Sequence, residues 1–430
     1  MFISAPDISL PRGVTDFLPD SAARINRIES EIRRVFRLWG FRRIITPKLE
    51  YEDVMSIGMA EELKGKTYRF DDRQTGKLLA LPPDITPQIA RIVATRLKNF
   101  PLPHRICYSG RVLRQTETQA GQNREIFQSG VELIGLDSPE ADAEMVAMAI
   151  EILTTLNIND FKVDLGHVEF CRAILSDSGL SGKPLADIRI ALSHKDRCAV
   201  EKIAIEAGLS DEVKREIMLL PRLFGGREVL GLAESSIRSG RALDALRNLK
   251  ETVHILDIHG VGDYLTIDLG EMRGLDYHTG ITFESFIPGL GEPVCSGGRY
   301  DRLMGMYGFP APATGLTFNV LNLLQAIERA PEYGRFLNTD FLLLNMREEK
   351  REALEIARIL RSRNYSVARD IIRRPVEDSI DYARWMQIGF MLLIDRKPGI
   401  YEVVRVSDGL RKSFSREELD GDNFLTFIKS

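Results

Sequence analysis

Several short stretches of the chain combine residue types suited to holding a small polar molecule. Pro83-Asp84-Ile85-Thr86 sets an acid and a hydroxyl two residues apart. On an extended segment both side chains point to one side, and together they suit an α-ammonium group. The same residues read equally well as a turn that caps a helix. Gln128, Gly130 and Glu132 alternate along a run that otherwise holds Val131, Leu133 and Ile134, so they share one strand face. If that face is buried, a glutamine and a glutamate there require polar partners or a ligand; the alternative is a solvated strand face. Arg273, within Met272 to Gly280, carries the planar fork that clamps a carboxylate through two parallel hydrogen bonds. Ser296-Gly297-Gly298-Arg299-Tyr300-Asp301 follows, and its glycine pair lets a backbone approach a ligand closely. Either glycine-rich piece is also what an ordinary turn looks like. Thr46-Pro47-Lys48-Leu49-Glu50 reads by itself as an edge strand kinked at proline.

The elements that must position these residues are legible in outline. Ile25, Ile28, Ile32, Val35, Phe36 and Trp39 recur at three- and four-residue steps, which predicts an amphipathic helix ending near Gly40. Arg43 to Tyr51 is a short strand-like run. Arg105 to Leu113 and Ile126 to Ile134 read as two strands joined by the long polar loop Arg114 to Glu125. Ser138-Pro139 is a helix start, and that helix is expected to reach about Leu156. From Cys171 to about Gly260 helix formers dominate, as in a helical insertion. Tyr264 to Leu269 and Ile281 to Phe286 restore strand character, and Leu316 to Ile327 reads as a buried helix. Ala330 to Asn338 is a linker, after which Phe341 to Asn345, Glu348 to Arg363, Tyr365 to Ala368, Val376 to Trp385, Phe390 to Ile394 and Val403 to Val406 alternate as in a small α/β domain.

Bulk properties bound the class. A chain of 430 residues predicts two or three domains. The formal net charge of −4 speaks against a dominant basic surface for nucleic acid. Cys107, Cys171, Cys198 and Cys295 are scattered with no CxxC pair, which fits a reducing compartment and neither a disulfide framework nor a zinc knuckle. No secretion signal and no membrane span is read, so a cytoplasmic protein is expected.

Taken in order, these segments resemble the histidyl-tRNA synthetase family of class II aminoacyl-tRNA synthetases. Thr46 to Glu50 is similar to motif 1, which builds the dimer interface. Arg111 to Glu132 is similar to motif 2, including Gln119-Ala120-Gly121 and Phe127 to Glu132. Arg273-Gly274-Leu275-Asp276-Tyr277 and Ser296 to Asp301 resemble the two histidine-specific signatures, and Ala313-Thr314-Gly315 opens something like motif 3. The resemblance implies an α+β fold: an antiparallel sheet of six or seven strands flanked by helices in residues 1–329, a helical insertion at about 171–260, and an anticodon-binding-like α/β domain in 339–430. It also implies a pocket for free histidine. Asp84 and Thr86 stand where the family grips the α-amino group, with Asp84 shorter than the family's acid. Gln128 and Glu132 match the residues at the amino and imidazole ends, and Arg273 matches the arginine on the carboxylate side. Arg114 is the motif 2 arginine, Tyr277 is the first of a tyrosine pair, and His278 replaces the second. A histidine at 278 adds a group that titrates near neutrality, so pH-dependent affinity is expected.

The departures point away from catalysis. Asn322, in Asn319-Val320-Leu321-Asn322, stands where the family places the motif 3 arginine that meets the ATP phosphates, and no arginine lies between Thr314 and Ala326. In motif 2 Thr116 fills the glutamate position, and Glu117 is one residue out of register, which on a strand is the opposite face. Losing one preorganised charge-stabilising group costs roughly 3–4 kcal/mol, or about 10²–10³ in rate. A synthetase body with a histidine pocket and damaged ATP motifs resembles the regulatory subunits of short-form ATP phosphoribosyltransferase. That likeness implies a non-catalytic chain without cofactor or metal. Its partners would be a separate short catalytic subunit, in equal numbers, a second copy through motif 1, and L-histidine as effector; neither tRNA nor membrane is expected. Two alternatives stand beside it: a divergent active histidyl-tRNA synthetase, and a synthetase-like binding module for another partner.

Overall fold

The computed structural model describes residues 8–115, 123–272, 277–328, 339–372, 374–395 and 399–429. They form two compact units, one within Met1–Asp16 and Ile25–Ala330, the other within Phe17–Arg24 and Pro331–Ser430. The expected linker and four residues of the first histidine-specific signature, including Arg273, lie outside the described residues, as do Thr116 and Glu117.

The predicted amphipathic helix is Pro19–Leu38, and its residues of the first unit bury Ile25, Ile28, Ile32, Val35 and Phe36 along one stripe. It leads into β1 (Arg42–Arg43). The stretch after it is mostly irregular: only β2 (Glu50–Tyr51) is strand, and it joins β3 (Tyr68–Asp71) and β4 (Leu78–Leu81) in a small sheet of order β2-β4-β3. The main sheet is built from β5 (His104–Leu113), β6 (Glu125–Ile134), β7 (Lys162–His167), β8 (Phe224–Gly225), β9 (Leu265–Asp268), β10 (Ile281–Phe286), β11 (Cys295–Arg299) and β12 (Ala313–Asn319), together with β1. Its order is β1-β5-β6-β12-β11-β10-β7-β9-β8. The run β5 to β7 in that order is antiparallel throughout. The expected six or seven strands are thus extended to nine by short edge pieces: β1 pairs parallel to β5, and β9 parallel to β7.

The helix expected over Leu316 to Ile327 starts later than read. Leu316 to Asn319 belongs to β12, and the helix is Val320–Glu328. A run buried on both faces carries no period that separates strand from helix. Backbone pairing of β12 with both β6 and β11 decides for strand, and Asn319 Oδ1 then accepts from Leu321 N and Asn322 N to start the helix.

Ser138 caps the helix Pro139–Thr155 through its side chain, as its sequence predicts. The helical insertion begins slightly earlier than read, at Val168–Asp177, and ends with the long helix Gly240–Ile258. It also lends β8 to the sheet, antiparallel to β9. No helix among the described residues is long and apolar enough to cross a membrane.

The second unit is a five-stranded sheet: β13 (Thr339–Asn345), β14 (Val367–Asp370), β15 (Ile388–Ile394), β16 (Ile400–Arg405) and β17 (Arg411–Ser415), ordered β14-β13-β15-β16-β17. Phe341 and Leu343 pack with Ile356 and Leu360 of helix Arg351–Ser362 on one face. Leu342 and Leu344 pack with Ile380 and Ala383 of helix Val376–Trp385 on the other. This is the alternation that a sheet covered on both sides requires.

Candidate functional site

The centre of the main sheet carries a cavity of about 180 Å³, roomy against the roughly 10–15 Å³ that one water needs. Its lining brings together Asp84, Thr86, Arg114, Gln128, Glu132, Tyr277 and His278, seven of the eight residues singled out from sequence. Arg273 lies outside the described residues.

Glu132 sits at the floor, 2% exposed, on β6. Two phenols reach it from different elements. Tyr108 on β5 donates to Oε1 at 3.2 Å, and Tyr300, just after β11, donates to Oε2. Glycines make this possible. A Cβ at Gly130 would lie 2.5 Å from the Tyr108 hydroxyl, and one at Gly315 would lie 2.0 Å from Glu132 Oε2. Burial, reinforced by the charge of Asp84, pushes the Glu132 carboxyl up to about 8, against the opposing pull of its hydroxyl donors. The cavity therefore holds a carboxyl group that a cationic or N–H-donating ligand would favour as carboxylate.

Across the cavity, Gln128 Nε2 donates to Asp84 Oδ1 at 2.9 Å, and Ile85 N is shared between Asp84 Oδ1 and Gln128 Oε1. Arg114 Nε donates to Pro83 O at 2.8 Å and so holds the backbone just before Asp84. The 83–86 segment is a bend and not extended: Ile85 already has helical angles, and helix Thr86–Ile92 starts there. Asp84 and Thr86 nevertheless line one cavity, because the bend turns both inward. Its helix also ties motif 1 to the site. Gln88 Nε2 donates to Pro47 O and Glu50 Oε1, and Arg91 pairs with Glu50.

The Tyr277 hydroxyl is buried with no hydrogen-bond partner among the described residues. Such a group in a cavity wall is an invitation to a polar ligand atom. His278 corrects an expectation. Burial, with a contribution from Arg172, lowers its imidazole to about 4, so it stays neutral near pH 7 and its titration there is not the source of a pH response. Its Nδ1 lies 3.3 Å from Arg299 O. Arg299 in turn is bound to Asp142, Asp301, Leu136 O and Ser138 O, which fixes the strand end beside the cavity.

Sequence reasoning did not assign roles to Tyr108, Tyr300 and Thr317. Tyr300 lies in the second signature and was visible as part of a motif. Tyr108 and Thr317, whose hydroxyls are 2.6 Å apart, become partners of Glu132's site only through strand register. Asn322 is not among the cavity residues; its Nδ2 donates to Pro293 O at 2.8 Å. No group of His, Cys, Asp or Glu among the described residues is arranged to hold a metal.

The histidyl-tRNA synthetase family profile matches residues 13–323. A solved histidyl-tRNA synthetase from Nostoc sp. superposes with TM-score 0.84 over 99% of both chains at 22% identity, a likeness of fold. Fold and cavity thus define a class II protein of the histidyl-tRNA synthetase type. More specific likenesses follow. A solved ATP phosphoribosyltransferase regulatory subunit/histidyl-tRNA synthetase from Bacillus halodurans has TM-score 0.78 and 31% identity, covering 88% of this chain and 97% of that one. The ATP phosphoribosyltransferase regulatory subunit of Geobacter sulfurreducens is 58% identical over 98% of this chain and 96% of its own length. That of Syntrophotalea carbinolica is 47% identical over 98% and 99%. The chain belongs to the ATP phosphoribosyltransferase regulatory subunit family.

Proposed function

We propose that this chain is the non-catalytic regulatory subunit of a short-form ATP phosphoribosyltransferase, that a separate catalytic subunit requires it for the first step of histidine biosynthesis, and that free L-histidine in the Glu132 cavity is the feedback effector. The observation that carries the effector assignment is the buried Glu132 between two phenol hydroxyls, with Asp84, Gln128 and Thr86 opposite. One end of the cavity offers a carboxyl group to an imidazole N–H, and the other an acid and an amide oxygen to an ammonium group. Inhibition then follows from linkage: histidine binds one state of the assembly more tightly than the other. Asn322, engaged with Pro293 O away from the cavity, supports loss of ATP chemistry over a divergent active synthetase. A self-dimer is assigned to the motif 1 region, where Ile45 and Leu49 are exposed beside the anchored Glu50. Equal numbers of the two subunits and a cytoplasmic location complete the reading.

The test is phosphoribosyl-ATP formation by the short catalytic subunit of the same source, with and without this chain, then with histidine added. Strong activation that histidine reverses is expected. No activation and no complex would sink the reading, and histidine-dependent ATP–pyrophosphate exchange would then be measured.

A further inference from the structure

The wall of the cavity that carries Tyr277 and His278 follows β9 in sequence, and the helical insertion holds both flanks of that connection. Before it, Asp268 at the end of β9 is buried, with Oδ1 accepting from Gly270 N at 3.0 Å and Oδ2 from Lys195 Nζ at 2.8 Å. Lys195 sits in the tight turn after the insertion helix Gly182–Ser193, where its own φ is +53°, and its ammonium also lies 4.1 Å from the ring centroid of Phe224. Asp164, Glu271 and Glu284 line the same small cleft as Asp268, so this carboxylate lies among further acids. Other insertion atoms grip the same point. Leu223 O accepts from Leu269 N, Cys171 Sγ donates to Leu269 O, and a Cβ on Gly270 would lie 2.5 Å from Leu220 O. At the far flank Arg172, on the first insertion helix, donates to His278 O at 2.8 Å. Arg172 also pairs with Glu169, which pairs with Arg241 on the long helix Gly240–Ile258, itself bound to Asp177.

We infer that the helical insertion sets the position of the Tyr277–His278 wall, with Lys195, through its ion pair with Asp268, as the positioning residue for effector binding. This rests on reading the cavity as a histidine site. Lys195 is not among the residues that line the cavity, and it reaches the strand end through its ion pair with Asp268. Removing it leaves a buried carboxylate among other acids without its cation, an arrangement that the strand end escapes by moving or by taking up a proton. Removing both charges takes that drive away, which makes the pair separable from a general loss of fold.

The experiment is calorimetric titration of the full-length chain with L-histidine, on the wild type, Lys195→Met, Lys195→Arg and the double variant Lys195→Met/Asp268→Asn. Lys195→Met is expected to weaken binding about tenfold, the scale of a coupling carried through packed neighbours. Lys195→Arg and the double variant are expected within about twofold of wild type. A folded Lys195→Met with wild-type affinity, or a double variant as weak as the single, overturns the inference. Should the wild type bind no histidine, the cavity reading fails on its own. Amide hydrogen exchange of the peptide covering residues 277–286 then decides the positioning role without ligand: faster exchange in Lys195→Met that the double variant reverses upholds it, and unchanged exchange overturns it.

Discussion

Glu132 and Gly315 face each other across the β6–β12 pair, and the space where a side chain at 315 would stand is filled by the Glu132 carboxyl group. The cavity floor exists because one strand offers a glycine where its neighbour offers an acid. Gly315→Ala is therefore expected to abolish histidine binding by driving Glu132 out of line with Tyr108 and Tyr300. The same methyl overpacks the floor at a cost of roughly 1–3 kcal/mol of stability. Histidine titration with a urea melt checks both, and unchanged affinity in a folded variant removes Glu132 from the site.

The raised carboxyl of Glu132 makes stability depend on pH. In the folded chain it titrates at about 8 against an ordinary 4.5. The folded state holds this proton more firmly than the unfolded state, so the contribution is complete below about 4.5 and is lost as pH rises to about 8. Glu132→Gln stays neutral throughout and lacks this loss. The melting temperature of Glu132→Gln relative to wild type is expected to climb from pH 5 to pH 8, by thermal melts without ligand. A difference that stays flat over that window would show that Glu132 ionises normally.

Half of this site was legible because it lies on single elements. Alternation along β6 puts Gln128 and Glu132 on one face whatever the rest of the chain does. Tyr108 and Gly315 were not legible as partners, because the long loop from Arg114 to Glu125 leaves the β5–β6 register open and β12 arrives from far along the chain. The same non-locality misplaced the boundary at Leu316: a segment buried on both faces hides its period, and only pairing with β6 and β11 defines it as strand. β17 escaped notice for the opposite reason. Arg411-Lys412-Ser413 is exposed at a sheet edge and presents almost no apolar signal.

Asn322 yields a prediction about chemistry. Its amide is bound to Pro293 O, and the adjacent Asn319 caps the helix that begins at Val320. Wild type is expected to show no histidine-dependent ATP–pyrophosphate exchange above background. Asn322→Arg alone is expected to stay there, because one restored group recovers only about 10²–10³ in rate while the motif 2 acid remains absent. Exchange by the wild type at synthetase-like turnover would return the chain to the enzymes.

The motif 1 region gives a prediction about assembly. Glu50 is buried and tied to Gln88 and Arg91 on the helix that begins with Thr86 of the cavity, so the stretch before it is held against the body of the unit. Ile45, in contrast, is 77% exposed, and Leu49 is also exposed. Isolated surface leucines and isoleucines need no explanation, but two on a segment anchored at its end suit a self-complementary contact. Ile45→Glu is expected to convert a dimer to a monomer in sedimentation velocity, with fold stability changed by no more than about 0.5 kcal/mol, as at an exposed position. Histidine affinity measured on that monomer then separates assembly from effector binding. A variant that still sediments as a dimer would move the interface elsewhere, and a wild type that is already monomeric would leave the catalytic subunit to build the assembly.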